Sequence, residues 1–464
     1  MFELGEDKPK EECGVLGIYA PTQEVARLTY YGLYTLQHRG QESAGIAVSE
    51  GLSINVHKGM GLVSEVFSDS VVDCLKGKMA IGHVCYSPTG SGLPANAQPI
   101  VVHYQKGMMA LAHNGSITNA LELREELGKK GAVFQTTIDS EVIINLITRY
   151  RQKSLEDSLV KTMRDLRGAY ALVILAEDKV IGLRDPHGVR PLCIGRMREG
   201  YCLASESCVL DITGAEFVRD VEPGEIVVID EEGLHSYRGY SKLERRSCAF
   251  EYIHIARPDS TIDQLSVSES RRRMGVELAR EYPLDVDLVI AVPDSGTASA
   301  LGYATTLGIP FGDGIIKNRY IHRTFIRPTQ EMREVDVQLK LNANASVLKN
   351  KRIVMVDDSI IQGTTSSKLV AMVRNAGAKE VHFLISSPPV VYPCFYGIDT
   401  VKPEKLIANQ FDLEGIREFV GAGSLHYISK EGLLRALGTD CVCLACFDGV
   451  YPIPIWALSK PNEF

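Results

Sequence analysis

Basic charge in excess is the first thing this sequence lacks: 50 Lys and Arg stand against 58 Asp and Glu, a formal net charge of −8. A nucleic-acid scaffold carries a basic footprint, so that class is excluded, while a local basic groove for an anionic small substrate is not. No apolar run approaches the roughly 20 residues a membrane helix requires; Leu288–Pro293 and Ile353–Val356 are far shorter. The opening MFELGEDKPKEE, with five acidic and two basic residues, has neither the basic start nor the apolar stretch of a secretory leader. The expectation is a cytoplasmic protein with no membrane or nucleic-acid partner. An even cysteine count is also missing: there are 11, which in a long chain without a leader does not suggest a disulfide framework. Reduced thiols used for catalysis or for a metal fit better. Repeats and low-complexity segments are absent, and 45% hydrophobic with 23% charged residues excludes disorder, collagen and coiled coil as the main organisation.

What is present fills two to four domains over 464 residues. From Cys13 to about Asp230, short β-type runs alternate with turn clusters: Gly14–Tyr19, Gly45–Val48, Met79–His83, Met109–His113, Tyr170–Ala176 and Glu225–Ile229. Helical spacing occupies Glu24–Gln37 and Ser140–Tyr150, so an α+β layered domain is expected. The charged stretch Asp230–Arg246 is taken as a boundary. Beyond it, Leu288–Val292, Ile353–Val356 and Val381–Ser386 alternate with helices, the pattern of a mostly parallel α/β sheet. The chain therefore divides into residues 1–12, 13–240, 241–420 and a C-terminal segment 421–464 holding the helix Ser429–Leu437 and a cysteine cluster.

The segment RIVMVDDSIIQGTTSS (Arg352–Ser367) is the most informative. Four apolar residues make a buried strand, Asp357 and Asp358 sit at its carboxyl end, and Gly363, Thr364 and Thr365 open a helix. Ligands of open α/β sheets bind outside the carboxyl ends of strands, and a helix start cradles phosphate. The paired acids suit ribose hydroxyls or Mg²⁺. This stretch resembles the phosphoribosyl-diphosphate (PRPP) motif of type I phosphoribosyltransferases. In the same frame Val292–Thr297 places Ser295 near metal and diphosphate, and Lys317, Arg319, Arg323, Arg327, Arg333 and Lys340 suit either a clamp on a diphosphate leaving group or a solvated basic loop.

At the other end, Cys13 immediately precedes a small apolar strand. LQHRGQESAG (Leu36–Gly45) is a loop punctuated by glycine, and His113-Asn114-Gly115 ends a strand. The Asn114 amide and the Gly115 N–H are suitable oxyanion donors. Asp139 opens a helix, where helix capping and recognition of a substrate ammonium are both open. These features resemble the N-terminal-nucleophile (Ntn) glutamine amidotransferases. Joined to the second domain, and with RDPHGVRPL, EYIHIARPDS and CLACFDGVYP in that order, the whole chain resembles the amidophosphoribosyltransferase family.

The resemblance implies an Ntn domain followed by a phosphoribosyltransferase domain. Residues 1–12 are then a propeptide removed by self-cleavage, leaving Cys13 as nucleophile with its α-amine as base. It further implies glutamine recognition by Arg39 and Asp139, PRPP binding by Asp357, Asp358, Gly363, Thr364, Thr365 and Lys340, and one Mg²⁺ held near Ser295, Asp357 and Asp358. The reaction is transfer of ammonia from glutamine to C1 of PRPP, giving 5-phosphoribosylamine, glutamate and diphosphate, the first step of de novo purine synthesis. Homo-oligomers (tetramer or dimer) and inhibition by purine nucleotides follow from the same resemblance. One departure stands out: the family reads G-H-x-R-Y-S-T where this chain has Gly82-His83-Val84-Cys85-Tyr86-Ser87-Pro88, so the arginine for the glutamine α-carboxylate is Cys85. Gln362 likewise stands where the family often has arginine. An ammonia-dependent transferase with an impaired glutaminase half, and a PRPP-binding regulator without activity, are the alternatives.

Cys441, Cys443 and Cys446 form C-x-C-x-x-C. Two thiolates at metal-ligand spacing need partners, with Cys248 and Cys394 as candidates, and spacing does not separate zinc from iron–sulfur. The resemblance implies one [4Fe–4S] cluster on Cys248, Cys394, Cys443 and Cys446, with a structural role.

Overall fold

The computed structural model describes residues 13–51, 53–86, 93–151, 153–176, 178–241, 243–318, 341–398 and 402–455. The strand Gly14–Tyr19 is apolar without interruption because both of its faces are covered. Alternate residues of a strand point to opposite faces. Val15 accordingly enters the layer between two sheets, while Leu16 and Ile18 meet the outer helices. It lies inside a seven-stranded antiparallel sheet ordered Glu216–Asp220, Cys193–Met197, Gly200–Ala204, Gly14–Tyr19, Met79–Cys85, Ser43–Ser49, Ile54–Met60.

A six-stranded antiparallel sheet packs against it, ordered Gly233–Arg238, Glu225–Asp230, Lys179–Arg184, Gly168–Ala176, Gly107–Ile117, Ile100–Tyr104. Ile81, Ala112, Val173 and Leu203 share the intervening core. Helix Val25–Thr35 covers the outer face of the first sheet, and helices Asp139–Tyr150 and Leu155–Asp165 cover that of the second. The result is the expected α+β layering.

The second half carries a four-stranded parallel sheet ordered Leu288–Ala291, Arg352–Asp357, Glu380–Ile385, Ser424–Tyr427. Helices Val267–Glu281 and Gly296–Leu307 bury one face of it, and Thr364–Asn375 with Leu413–Val420 bury the other. This is the expected α/β arrangement. One boundary differs from expectation, and one stretch read as a connection holds a strand. The charged stretch after Asp230 contains the strand Gly233–Arg238, a half-exposed edge strand whose polar side chains hide its strand character. Residue 420 falls inside the parallel sheet, because Ser424–Tyr427 is its fourth strand.

Candidate active sites

Strand register builds the first site. Gly14 pairs with Val84 and Val15 with His83 in antiparallel order, so continuation of the register sets Cys13 opposite Cys85. Residues two apart on a strand share a face, which puts His83 beside Cys85. The Cys13 and Cys85 sulfurs are 3.4 Å apart. The Cys85 thiol beside it and burial together hold the Cys13 thiol well above its ordinary range, with His83 pulling the other way.

His83 Nε2 lies 3.0 Å from the His113 carbonyl, a bond between the two sheets that brings the next residue, Asn114, to this end of the strand. Asn114 is fully buried, and neither its Oδ1 nor its Nδ2 has a hydrogen-bond partner among the described residues. Such an orphaned amide costs stability unless a ligand satisfies it. Gly115 has φ +129°. A Cβ there would sit 2.0 Å from the Ala169 carbonyl oxygen, so only glycine permits this backbone.

Asp139 is the first residue of its helix, with Ile138 as the cap, and it does not cap the helix with its side chain. Its Oδ2 accepts from the Ile117 N–H at 2.9 Å, and its Oδ1 stands 3.4 Å from His113 Nδ1. Burial raises its pKa, but His113 and the N–H groups of Ile117 and Ser140 outweigh this and hold the carboxylate ionised below its usual range. It thus keeps a fixed negative charge against His113, the residue before Asn114.

The expectation for Arg39 needs correction. Its fully buried guanidinium donates to Glu206 at 2.7 Å and to both Glu251 oxygens at 2.9 and 2.7 Å, while its Nε donates to the Cys13 carbonyl at 3.2 Å. A guanidinium fork already occupied by carboxylates does not present itself to a substrate carboxylate. Arg39 holds the Cys13 backbone instead.

In the second site, Asp357 and Asp358 end the strand Arg352–Asp357 and are almost completely buried. Asp358 accepts hydrogen bonds from Ser295 and, at 2.7 Å, from Ser359, so the two loops expected to meet do meet. Gly363 has φ +81° and precedes helix Thr364–Asn375. A Cβ there would lie 2.4 Å from the terminal methyl of Ile407, which can shift, so it is the left-handed backbone that calls for glycine and keeps Thr364 and Thr365 at the loop-to-helix junction. Lys317 reaches Asp294 in the Ser295 loop. Arg319, Arg323, Arg327, Arg333 and Lys340 lie outside the described residues, as do residues 1–12 and Pro88. Carboxylate and hydroxyl oxygens on two adjoining loops are donors suited to Mg²⁺.

The four expected cluster cysteines are close together. The short parallel pair Ser247–Cys248 and Val442–Cys443 sets Cys248 opposite Cys443. The Cys446 carbonyl accepts from Val391 N–H at 3.0 Å, tying it to the loop that carries Cys394. Tetrahedral zinc, with Zn–S near 2.3 Å, holds its sulfurs about 3.8 Å apart. No three of these four sulfurs lie within 4.8 Å of one another. Four soft thiolates brought together in this way are donors for zinc or for an iron–sulfur cluster.

Several working residues carried no assigned role in the sequence. EYIHIARPDS forms a tight turn of π-type spacing at Glu251–Ile255. Glu251 faces Arg39, and His254 Nδ1 stands 3.0 Å from Asp358 Oδ2, so one turn touches both sites. Within RDPHGVRPL, buried Arg184 makes a two-pronged bond to Asp263 at 2.8 and 2.9 Å, and Arg190 donates to the Tyr396 carbonyl at 2.8 Å. Clustered ionic residues inside otherwise apolar segments were the available signal. Their partners, 79 and 206 residues away, were not.

A half-buried cysteine at a strand start, an unpaired buried amide on the facing sheet, and a Gly-Thr-Thr loop behind paired acids define a glutamine amidotransferase fused to a phosphoribosyltransferase. Residues 89–211 match the glutamine amidotransferase domain family and residues 267–387 the phosphoribosyl transferase domain family. The amidophosphoribosyltransferase of Synechocystis sp. is 50% identical over 457 residues, covering 97% of this chain and 92% of that protein. The Bacillus subtilis enzyme is 48% identical over 453 residues, covering 96% and 95%. The chain belongs to the amidophosphoribosyltransferase family. The B. subtilis glutamine PRPP amidotransferase solved with ADP and GMP superposes with a TM-score of 0.91 at 47% identity, covering 96% of this chain and 98% of that one. A structure described as the allosteric regulatory enzyme of purine biosynthesis gives 0.92 at 47% identity, covering 96% and 97%.

Proposed function

We propose that this chain transfers the amide nitrogen of glutamine to C1 of PRPP, yielding 5-phosphoribosylamine, glutamate and diphosphate at the start of purine synthesis. The observation that carries the glutamine half is Asn114, a fully buried amide with both polar atoms unpartnered.

In this reading cleavage before Cys13 frees its α-amine to take the thiol proton, which a thiol held above its usual pKa requires. The thiolate attacks the glutamine carboxamide carbon. Asn114 Nδ2 and the Gly115 N–H stabilise the oxyanion, ammonia leaves, and water hydrolyses the Cys13 thioester to glutamate. Asp139 recognises the substrate ammonium. Asp357 and Asp358 hold the ribose hydroxyls, while the Gly363–Thr365 loop holds the 5′-phosphate. Ser295, Asp357 and Asp358 would hold Mg²⁺, which would supply charge neutralisation for the departing diphosphate.

A [4Fe–4S] cluster on Cys248, Cys394, Cys443 and Cys446 would tie the C-terminal segment to the start of the second domain. Eleven free thiols suit a reducing compartment, and the cytoplasm is the proposed location. No described helix is long and apolar enough to cross a membrane. Purine nucleotide inhibition and homo-oligomeric assembly belong to the same proposal, the former supported by ADP and GMP in the B. subtilis structure.

The test is PRPP-dependent diphosphate release with glutamine or with ammonium as donor. Activity with both is expected. Activity with ammonium alone identifies an impaired glutaminase, and activity with neither removes the enzyme reading. Mass spectrometry of active protein should show Cys13 as the first residue, and broad visible absorbance should mark the iron–sulfur cluster.

A further inference from the structure

We infer that Cys13, His83 and Cys85 form a binding site for a thiophilic divalent cation, Zn²⁺ being the type, and that the bound ion switches off glutamine use. Cys13, His83 and Cys85 each offer a donor atom, and the three donors lie within 4.8 Å of one another. The two sulfurs, 3.4 Å apart, are near the spacing of about 3.8 Å that tetrahedral zinc imposes on two thiolates. His83 is completely buried, and its Nδ1 has no hydrogen-bond partner.

Its other nitrogen fixes the tautomer. A carbonyl only accepts, so Nε2 carries the proton donated to His113, leaving Nδ1 with the lone pair that can bind an ion. An imidazole that donates its far N–H to a backbone carbonyl while its near nitrogen faces soft donors has the orientation usual for a metal ligand. Backbone register supplies the rest: Cys85 is directly across from Cys13, and His83 is two residues away on the same face. Two thiolates and one imidazole select a soft or borderline cation over Mg²⁺.

Binding consumes the nucleophile. Both thiols lose protons to solvent as the ion binds, no electron moves, and a chelator reverses the change. The PRPP site has its own oxygen donors, so synthesis from ammonium continues. This inference rests on the proposed role of Cys13, and the measurements below separate the two.

The test uses full-length mature holoenzyme under reducing conditions, titrated with Zn²⁺ for activity and with Co²⁺ for spectra. Expected results are one tightly bound ion, loss of glutamine-dependent activity restored by EDTA, and unchanged ammonium-dependent activity. Co²⁺ should give tetrahedral d–d bands and thiolate charge transfer that vanish in Cys85→Ser and Cys85→Ala. Both variants should need at least tenfold more Zn²⁺ for half-inhibition than the parent. A cobalt spectrum or zinc sensitivity identical in parent and variants overturns the inference. So does inactivation reversed by dithiothreitol but not EDTA, which identifies a Cys13–Cys85 disulfide instead. A Cys85-dependent cobalt spectrum without loss of glutamine use upholds the site and overturns the nucleophile assignment.

Discussion

At the scale of single residues, the glutamine site is defined by what is left unsatisfied. Asn114 is buried with its amide unpaired, an arrangement that costs folding free energy and is retained where a ligand completes it. In the proposed mechanism, replacing it with alanine removes an oxyanion donor. The expected outcome for Asn114→Ala is a 100- to 1,000-fold fall, on the order of 3–4 kcal/mol, in glutamine-dependent kcat. Ammonium-dependent synthesis should be unchanged, and steady-state kinetics with the two donors checks both. Cys85 is the opposite case, a side chain too short to reach a carboxylate from a position where relatives are expected to use arginine. A charge-assisted fork is worth on the order of 2 kcal/mol or more. Cys85→Arg should therefore lower KM for glutamine by about 30-fold, by the usual 1.4 kcal/mol per factor of ten. Titration of initial rate against glutamine reads this directly.

At the scale of elements, the turn Glu251–Ile255 and the strand Glu216–Asp220 show how ionic groups hold this fold together. The turn places Glu251 against Arg39, whose Nε holds the Cys13 carbonyl, and His254 against Asp358 of the PRPP loop. It is a short rigid element in contact with both sites. Asp220 closes its strand in a buried position where desolvation pushes its carboxyl up to about 6; nearby Arg184 lowers it and Asp263 raises it. A raised carboxyl favours the folded state most below the unfolded pKa of about 3.9, and that advantage is lost as pH rises through about 6. Between pH 5 and pH 8 the parent should lose about 1.4 kcal/mol through this group. Asp220→Asn, which stays neutral, should not lose that increment. Denaturant unfolding of both proteins at the two pH values measures the difference.

At the scale of the whole molecule, buried pairs join segments distant in the chain. Arg184 ends a strand of the six-stranded sheet, while Asp263 follows the Glu251–Ile255 turn, and their two-pronged bond is buried. Removing one partner leaves an uncompensated buried charge. Arg184→Ala should destabilise the protein by about 3–5 kcal/mol, and Arg184→Ala with Asp263→Ala should recover part of the loss. Equilibrium unfolding of single and double variants tests this coupling.

The amino-acid sequence by itself determined the elements whose cause is local. Continuous apolar runs bounded by turns mark Gly14–Tyr19 and Arg352–Asp357. Paired acids before a Gly-Thr-Thr loop mark the phosphate site, because strand, turn and helix signals lie within sixteen residues of one another. The polar edge strand Gly233–Arg238 escaped notice because an exposed edge needs no apolar alternation. The role of Arg39 was legible only as positive charge near the nucleophile. Only the tertiary structure decided that this charge is spent on Glu206 and Glu251, and that Cys85 stands opposite Cys13 with His83 beside it. Side-chain pairing across strands and between domains depends on register and packing over long sequence separations, which local propensity does not encode.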